Sequence, residues 1–192
     1  PQDLAAQVDH VFTCLPSPVI SEKVLAQILE TLKPGSTWLE NSTNGRDEML
    51  RLAAMAEAKS IRTLECPVTG GVHLAARGEI TVLAGGDKAL FDLHEKALQA
   101  IGKKIFHMGP IGSAAIIKVI TNMLAFIHLV ADAEALMLAK RGGLDLRQAW
   151  AAIAASSGTS FVHETEGQLI LNGSYDIAFS MDLALKDLGF AM

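Results

Sequence analysis

Aromatic residues are scarce, 5% of 192, and the sequence has only two cysteines and six prolines. Two cysteines cannot build a disulfide framework, and they suit a reducing cytoplasm. So few aromatics, beside abundant Ala, Leu and Ile, favour helix packing over a β-sandwich. Positive charge is not in excess: 16 Lys and Arg stand against 21 Asp and Glu, a net −5. A phosphate-backbone binder should be basic, so nucleic acid is a poor reading. Half of the residues are hydrophobic and the net charge is small, which excludes disorder. The length allows one domain or two small ones with a large core.

No uninterrupted run of ~20 apolar residues is present, the length a bilayer span needs. The first 20 residues lack a basic start followed by an apolar run, so no targeting segment is read there. The longest apolar stretch, 119–131, carries Asn122 and His128 and is bounded by Lys118 and Asp132. It reads as a buried helix, not a membrane span. The six histidines are dispersed. His128 and Asp132 stand one helical turn apart with no third ligand in view, so no metal site is expected.

What is present is alternation. Short strands are predicted at 8–14, 36–41, 61–68, 79–84 and 104–107. Helical spacing of Leu25, Ile28, Leu29 and Leu32, then a pattern over 47–59, and then Leu90, Leu93, Ala97 and Ile101 behind an Asp87 N-cap, fill the gaps. Strand–helix alternation predicts an α/β domain with a mainly parallel, open sheet. The Gly70-Gly71 turn is a place where the direction could reverse. After Gly112 the strand signals stop. Residues 113–141 contain neither Pro nor Gly and predict one helix, ~43 Å long at 1.5 Å per residue. Further helices are predicted after Asp145, over 161–171 and over 179–192. The division expected is 1–110 for the α/β part and 111–192 for an all-helical part.

In open α/β sheets ligands bind at the carboxyl ends of the strands. The loops there are Leu15-Pro16-Ser17-Pro18, Ser42-Thr43-Asn44-Gly45 and Thr69-Gly70-Gly71. They offer hydroxyls and backbone N–H groups to phosphate, ribose or carboxylate oxygens, and equally they are ordinary turn chemistry. Lys118 lies near the start of the long helix among Ile116, Ile117, Val119 and Ile120, one turn before Asn122. The positive helix end and burial both favour a neutral amine there, able to exchange a proton with an alcohol or carbonyl. A lysine snorkelling to the surface fits the same spacing. Cys66 reads as a small core residue, and Lys186-Asp187 as a surface ion pair or a reach back to a cofactor.

Several of these segments together resemble a known family. Glu65-Cys66-Pro67-Val68-Thr69-Gly70-Gly71, followed by Gly78 and residues 81–86, resembles the D-A-P-V-S-G-G substrate motif of the β-hydroxyacid dehydrogenases. That family includes 3-hydroxyisobutyrate dehydrogenase, tartronate semialdehyde reductase and 6-phosphogluconate dehydrogenase. Residues 109–122 (GPIGSAAIIKVITN) look like its glycine-rich helix motif with a Lys and an Asn one turn apart, and Leu15-Pro16, Ser42-Thr43 and Lys186-Asp187-Leu188 fall in the expected order. The resemblance implies an NAD- or NADP-dependent oxidoreductase. It would interconvert a small 2- or 3-hydroxy acid and its oxo acid or semialdehyde. It further implies Lys118 as general acid/base and Asn122 holding substrate. Thr69, Gly70 and Gly71 would bind the substrate carboxylate, and Leu15, Pro16, Thr43 and Lys186 the cofactor. A homodimer through the long helix is also implied.

The sequence departs from that pattern at Glu65 (Asp in the motif), Cys66 (Ala), Thr69 (Ser) and Ala114 (Gly). No G-x-G-x-x-G occurs, so the resemblance implies a Rossmann domain without its first βαβ half, and a helical domain that stops early. Residues 1–192 alone are then expected to be inactive. Two other readings are weighed. An imine reductase shares the architecture, but its relatives generally carry another residue at the position of Lys118. A non-catalytic NAD(P)- or protein-binding module would keep the fold without needing Lys118, Asn122 and the Thr-Gly-Gly loop.

Overall fold

The computed structural model describes residues 1–174 and 179–191. The short helix α1 (Gln2–Ala5) leads into β1 (His10–Thr13), α2 (Pro18–Ile28), β2 (Thr37–Glu40), α3 (Arg46–Glu57) and β3 (Arg62–Glu65). Then come β4 (Val68–Thr69), α4 (Gly71–Ala75), β5 (Ile80–Gly85), α5 (Lys88–Gln99) and β6 (Gly102–Gly109). The rest is helical: α6 (Ser113–Arg141), α7 (Leu146–Ala154), α8 (Phe161–Thr165), α9 (Gly167–Asn172) and α10 (Met181–Gly189). Contacts divide the chain into two compact units, Pro1–Ile120 with Gly189–Met192, and Thr121–Leu188. The first turns of α6 belong to the first unit and the remainder to the second.

In the first unit β1, β2 and β3 pair in parallel, and β5 pairs in parallel with β6. β5 runs antiparallel to both β3 and β4. The third predicted strand is thus two pieces. Glu65↔Gly85, Val68↔Val82 and Thr69↔Thr81 share one register, so β4 continues β3 across Cys66-Pro67. Pro67 has no N–H to give to a ladder, which interrupts the strand there. The chain then reverses through the Gly70-Gly71 turn and α4.

Alternation along the strands sorts the core onto two faces. Val11 and Trp38 pack with Leu25 of α2, Met49 and Leu52 of α3, and Ala115 of α6. Leu39, Leu64 and Val82 pack on the other face with Leu90, Phe91 and Leu98 of α5. Asp87 caps α5 as expected, its Oδ1 accepting from Leu90 N at 2.9 Å.

The long helix is where it was predicted, but it is not the buried rod expected. Ala115, Lys118, Val119, Asn122 and Asp132 are buried, whereas Ile116, Ile120, Leu124, Ile127 and Val130 are 40–61% exposed. Those five lie on one face, at spacings of three and four. The described residues cover one side of α6 and leave this apolar face exposed. By length and composition alone α6 would suffice to cross a bilayer. Lys118, Asn122 and Asp132 lie along it, and hydrocarbon penalises such groups.

The second unit is fastened by a buried polar cluster. The predicted helix over 161–171 is interrupted at Glu166, between α8 and α9; at Gly167, the first residue of α9, a Cβ would come within 2.9 Å of Trp150 Nε1 and 3.1 Å of Asp132 Oδ2. His163, 1% exposed, faces the Asp132 carboxylate with Nδ1 and the Trp150 carbonyl oxygen with Nε2, the latter at 3.0 Å. Trp150 Nε1 returns a hydrogen bond to the His163 carbonyl at 2.9 Å, and the two rings stack at 5.4 Å. Both ring nitrogens meet acceptors, so the ring must donate from both, which is the imidazolium. Asp132 therefore pairs with His163, not with its helical neighbour His128. Burial disfavours the charge, yet the bonds to Asp132 and Trp150, with Glu164 nearby, raise the His163 pKa above its ordinary value.

A raised folded-state pKa gives stability that is fully present below the unfolded value of about 6.5 and is lost as pH rises through the folded value. Melting temperature should therefore fall more steeply with rising pH in the native protein than in Asp132→Asn. Parallel profiles would contradict a charged pair. At low pH, His163→Ala should cost about 3 kcal/mol by leaving Asp132 buried alone.

Candidate functional site

The parallel register of β1, β2 and β3 brings their ends into one row: Thr13, Glu40 and Glu65 are Cα partners, and Gly85 of β5 faces Glu65. The loops that follow are tied along that edge. Asn41 N donates to the Thr13 carbonyl and Cys66 N to the Glu40 carbonyl, both at 2.7 Å. Leu15 N donates to Ser42 Oγ at 2.7 Å, and Asn41 Nδ2 to the Cys66 carbonyl at 3.1 Å. Leu15 and Thr43 are thereby held half-buried, with Pro16 exposed beside them. The hydroxyls of Ser17 and Ser42 are spent within the loops; Ser17 caps α2 by accepting from Ile20 N.

The Thr69-Gly70-Gly71 turn leaves the same edge through β4. Gly70 has φ +123° and Gly71 +81°, a region L side chains rarely adopt. A Cβ on Gly70 would also lie 2.7 Å from Leu74 Cδ1. The two glycines thus allow a tight turn directly after Thr69. His73 folds its ring over this turn, 3.2 Å from where a Gly71 Cβ would be. No spacing signal in the sequence sets it apart from the other five histidines.

Lys118 is 7% exposed, so its stem does not carry it to the surface. It stands one turn into α6, on the side of Ala114 and Ala115, which are also buried. Asn122 follows on the same face at 9% exposure. Its Nδ2 donates to Asp187 Oδ2 at 2.6 Å, and Asp187 Oδ1 lies 3.0 Å from Lys186 Nζ. Asp187 is 2% exposed, which corrects the surface-pair reading of Lys186-Asp187: its carboxylate is an interior group shared by Asn122 and Lys186. No local pattern could have revealed this, because the partners are 65 residues apart.

Two glutamates lie under the edge, both fully buried. Glu40 accepts from Ser42 N at 2.8 Å and from the Thr13 hydroxyl, and Thr13 Oγ1 in turn accepts from Trp38 Nε1 at 2.8 Å. Burial pushes the Glu40 carboxyl above the usual range, and the bonds from Ser42 and Thr13 oppose the shift. Glu65 Oε1 accepts from Gly112 N at 2.6 Å and Ala114 N at 2.9 Å, and Oε2 from Ala115 N at 3.3 Å. Burial raises its pKa too, against those three donors. The Cys66 thiol is pushed up by burial and by both glutamates, which suits a core residue and not a nucleophile.

Two hollows of about 540 and 530 Å³ open elsewhere on the first unit, around Gly86, His107 and Pro110 and around Glu57, Arg62 and Leu93. None of Leu15, Pro16, Thr43, Thr69, Gly70, Gly71 or Lys118 lines either. Among the described residues no group of three His, Cys, Asp or Glu could hold a metal ion.

Comparison with known proteins identifies relatives along the whole chain. Residues 1–109 match the NAD-binding domain of 6-phosphogluconate dehydrogenase, and 112–192 the NAD-binding domain of NADP-dependent 3-hydroxyisobutyrate dehydrogenase. The 2-(hydroxymethyl)glutarate dehydrogenase of Eubacterium barkeri is 33% identical over 195 residues, covering 100% of this chain and 65% of that protein. An L-threonate dehydrogenase of Haemophilus influenzae is 29% identical over 191 residues, covering 97% and 64%. This chain thus spans about two thirds of the length of those relatives. A crystal structure of 3-hydroxyisobutyrate dehydrogenase from Salmonella typhimurium superposes with a TM-score of 0.91 at 30% identity, covering 98% of this chain and 67% of that one. An imine reductase from Myxococcus stipitatus in complex with NAD+ reaches 0.71 at 17% identity over 89% of this chain and 57% of that one, a likeness of fold alone. The mainly parallel Rossmann-like sheet, the helical part that follows it in sequence and the matches along the whole chain lead to one assignment: this chain belongs to the NAD(P)-dependent β-hydroxyacid dehydrogenase family.

Proposed function

We propose that the protein is a dehydrogenase of small hydroxy acids that uses NAD or NADP, with Lys118 as its general acid/base. The observation that carries this reading is a buried lysine one turn into α6, in the same compact unit as the Thr69-Gly70-Gly71 turn. The strand-end edge suits a dinucleotide: Leu15 and Pro16 offer an apolar surface and Thr43 a hydroxyl, on loops held by Ser42 and Asn41. Lys186 is the cationic contact we assign to the cofactor, and 1–110 the cofactor domain. Residues 111–192 are the helical domain for substrate and dimerisation.

The bound dinucleotide supplies or accepts the hydride. The chain's own residues handle the proton and the carboxylate. In oxidation the Lys118 amine takes the hydroxyl proton as the C=O bond forms; in reduction the ammonium gives it to the carbonyl oxygen. The Thr69 hydroxyl and the Gly70 and Gly71 N–H groups bind the substrate carboxylate, and Asn122 orients the reacting hydroxyl. The relatives named for 2-(hydroxymethyl)glutarate and L-threonate support a hydroxy-acid substrate.

A second copy of the chain is the partner we assign to the exposed face of α6. Ile116, Ile120, Leu124, Ile127 and Val130 form one apolar stripe, the kind of surface that is buried in obligate dimers.

In the whole protein, Lys118→Ala should lower kcat by about 10²-fold or more, as loss of a general acid–base step does. An unchanged rate removes Lys118 from the mechanism. Cofactor binding without turnover of any hydroxy acid would favour the binding module. Thr69→Ala should act mainly on KM for the hydroxy acid, and an unaltered KM would contradict its carboxylate role. Light scattering should find a dimer, converted to a monomer by Ile120→Glu with Leu124→Glu; a monomeric native protein would remove the stripe as an interface.

A further inference from the structure

Glu65 stands where the family motif has Asp, and the sequence reading treated it only as a departure. The structure gives it a definite task. Its carboxylate leaves the last residue of β3 and accepts hydrogen bonds from Gly112, Ala114 and Ala115, the backbone that opens α6. The first N–H groups of a helix have no partner inside it, and a buried helix start needs an acceptor from elsewhere. Each carboxylate oxygen meets donors only, the pattern a carboxylate anion accepts and a protonated acid would disrupt. The positive end of the helix favours that anion as well.

The space for it is built in. Gly85 is the strand partner of Glu65, and a Cβ there would lie 2.2 Å from Glu65 Oε1. Any side chain at Gly85 would displace the carboxylate. Glu65, Gly85 and Gly112 form one arrangement drawn from two strands and the approach to α6, all within the first unit.

The joint lies between two parts of the candidate site, and only the helix is held by it. Thr69 follows Glu65 by four residues along the same interrupted strand. Lys118 follows Ala114 by one helical turn on the same face, and helical side chains lean back towards the N-terminus. Where the helix starts, and how it is rotated about its axis, fixes where the Lys118 stem emerges relative to the Thr-Gly-Gly turn. We propose that Glu65 is a positioning residue for the reaction, fixing the start of α6 so that Lys118 stands in register with the substrate turn. The proposal rests on the assignment of Lys118 above, and Glu65 is given its role through the helix start alone.

The test uses the whole protein with cofactor and a hydroxy acid it turns over. Glu65→Gln keeps the length but loses the charge and presents an amide N–H₂ to a cluster of donors. Glu65→Asp keeps the charge one methylene short. Rates are expressed per folded cofactor-binding site, so that loss of folded protein does not count as loss of rate. Small misplacements of a reacting group cost up to about 100-fold, so kcat should fall by about 10-fold or more in Glu65→Gln and less in Glu65→Asp. KM and cofactor affinity should stay within about twofold in both, since the groups that bind are untouched. A purely structural Glu65 would lower melting temperature and yield but leave kcat per folded site unchanged; that result overturns the proposal. So does a loss carried wholly by KM. Should Glu65→Gln not fold, Glu65→Asp alone decides, with an unchanged kcat per site again the contrary result. If Lys118→Ala keeps full rate, both assignments fall. If it abolishes the rate while the Glu65 variants keep theirs, only the positioning role falls.

Discussion

The opening turn of a buried helix is an unpaired row of N–H groups, and the fold must bring an acceptor to it or forgo burying it. Here the acceptor is the Glu65 carboxylate, carried by the last residue of β3. That joint ties the sheet edge to the helix bearing Lys118, and it requires Gly85 alongside to have no side chain. A charge buried in this way is stable only if its donors are in place, so sheet and helix cannot shift independently without exposing a large penalty. The geometry of the site therefore depends on an interaction that is not itself part of the chemistry.

A second buried carboxylate does comparable work in the helical unit. Asp132 holds the His163 imidazolium between α6, α7 and α8, and Gly167 makes room for the Trp150 indole beside it. A third, Asp187, gathers Asn122 and Lys186. The row Thr13–Glu40–Glu65 at the strand ends shows the same habit on the sheet. In a chain with few aromatics, buried acids paired with backbone, imidazole or amide groups supply directional contacts that apolar packing does not. That is consistent with a family whose sites are assembled from several loops and helices.

Much of the fold was legible because its signals are local. Strand lengths, the Asp87 cap, the Gly70-Gly71 turn and the uninterrupted helix from Ser113 to Arg141 follow from periodicity and turn chemistry. The ordered motifs from Leu15-Pro16 to Lys186-Asp187 carried the family. What was not legible is long-range. The antiparallel return of β5 onto β3 depends on register, which a lone Gly-Gly turn does not fix. The partners of Asp132 and Asn122 lie on other helices; helical spacing offered only His128 to the first and a face shared with Lys118 to the second. The long helix was expected to be buried because its apolar stretch, 119–131, is too short for a bilayer span; composition does not say whether the cover comes from the same chain. Glu65 looked like a weakened motif residue because its role is visible only once Gly112, Ala114 and Ala115 are in place.

The tether between strand and helix can be read most directly by hydrogen exchange at three backbone amides of the native chain. If the Glu65 carboxylate holds Gly112, Ala114 and Ala115, their amides should exchange as slowly as the ladder amides of β3, and should lose that protection selectively in Glu65→Gln. Amides at Gly112 and Ala114 that exchange as fast as those of an exposed loop would show that the helix start is not held from the sheet, and would contradict the account.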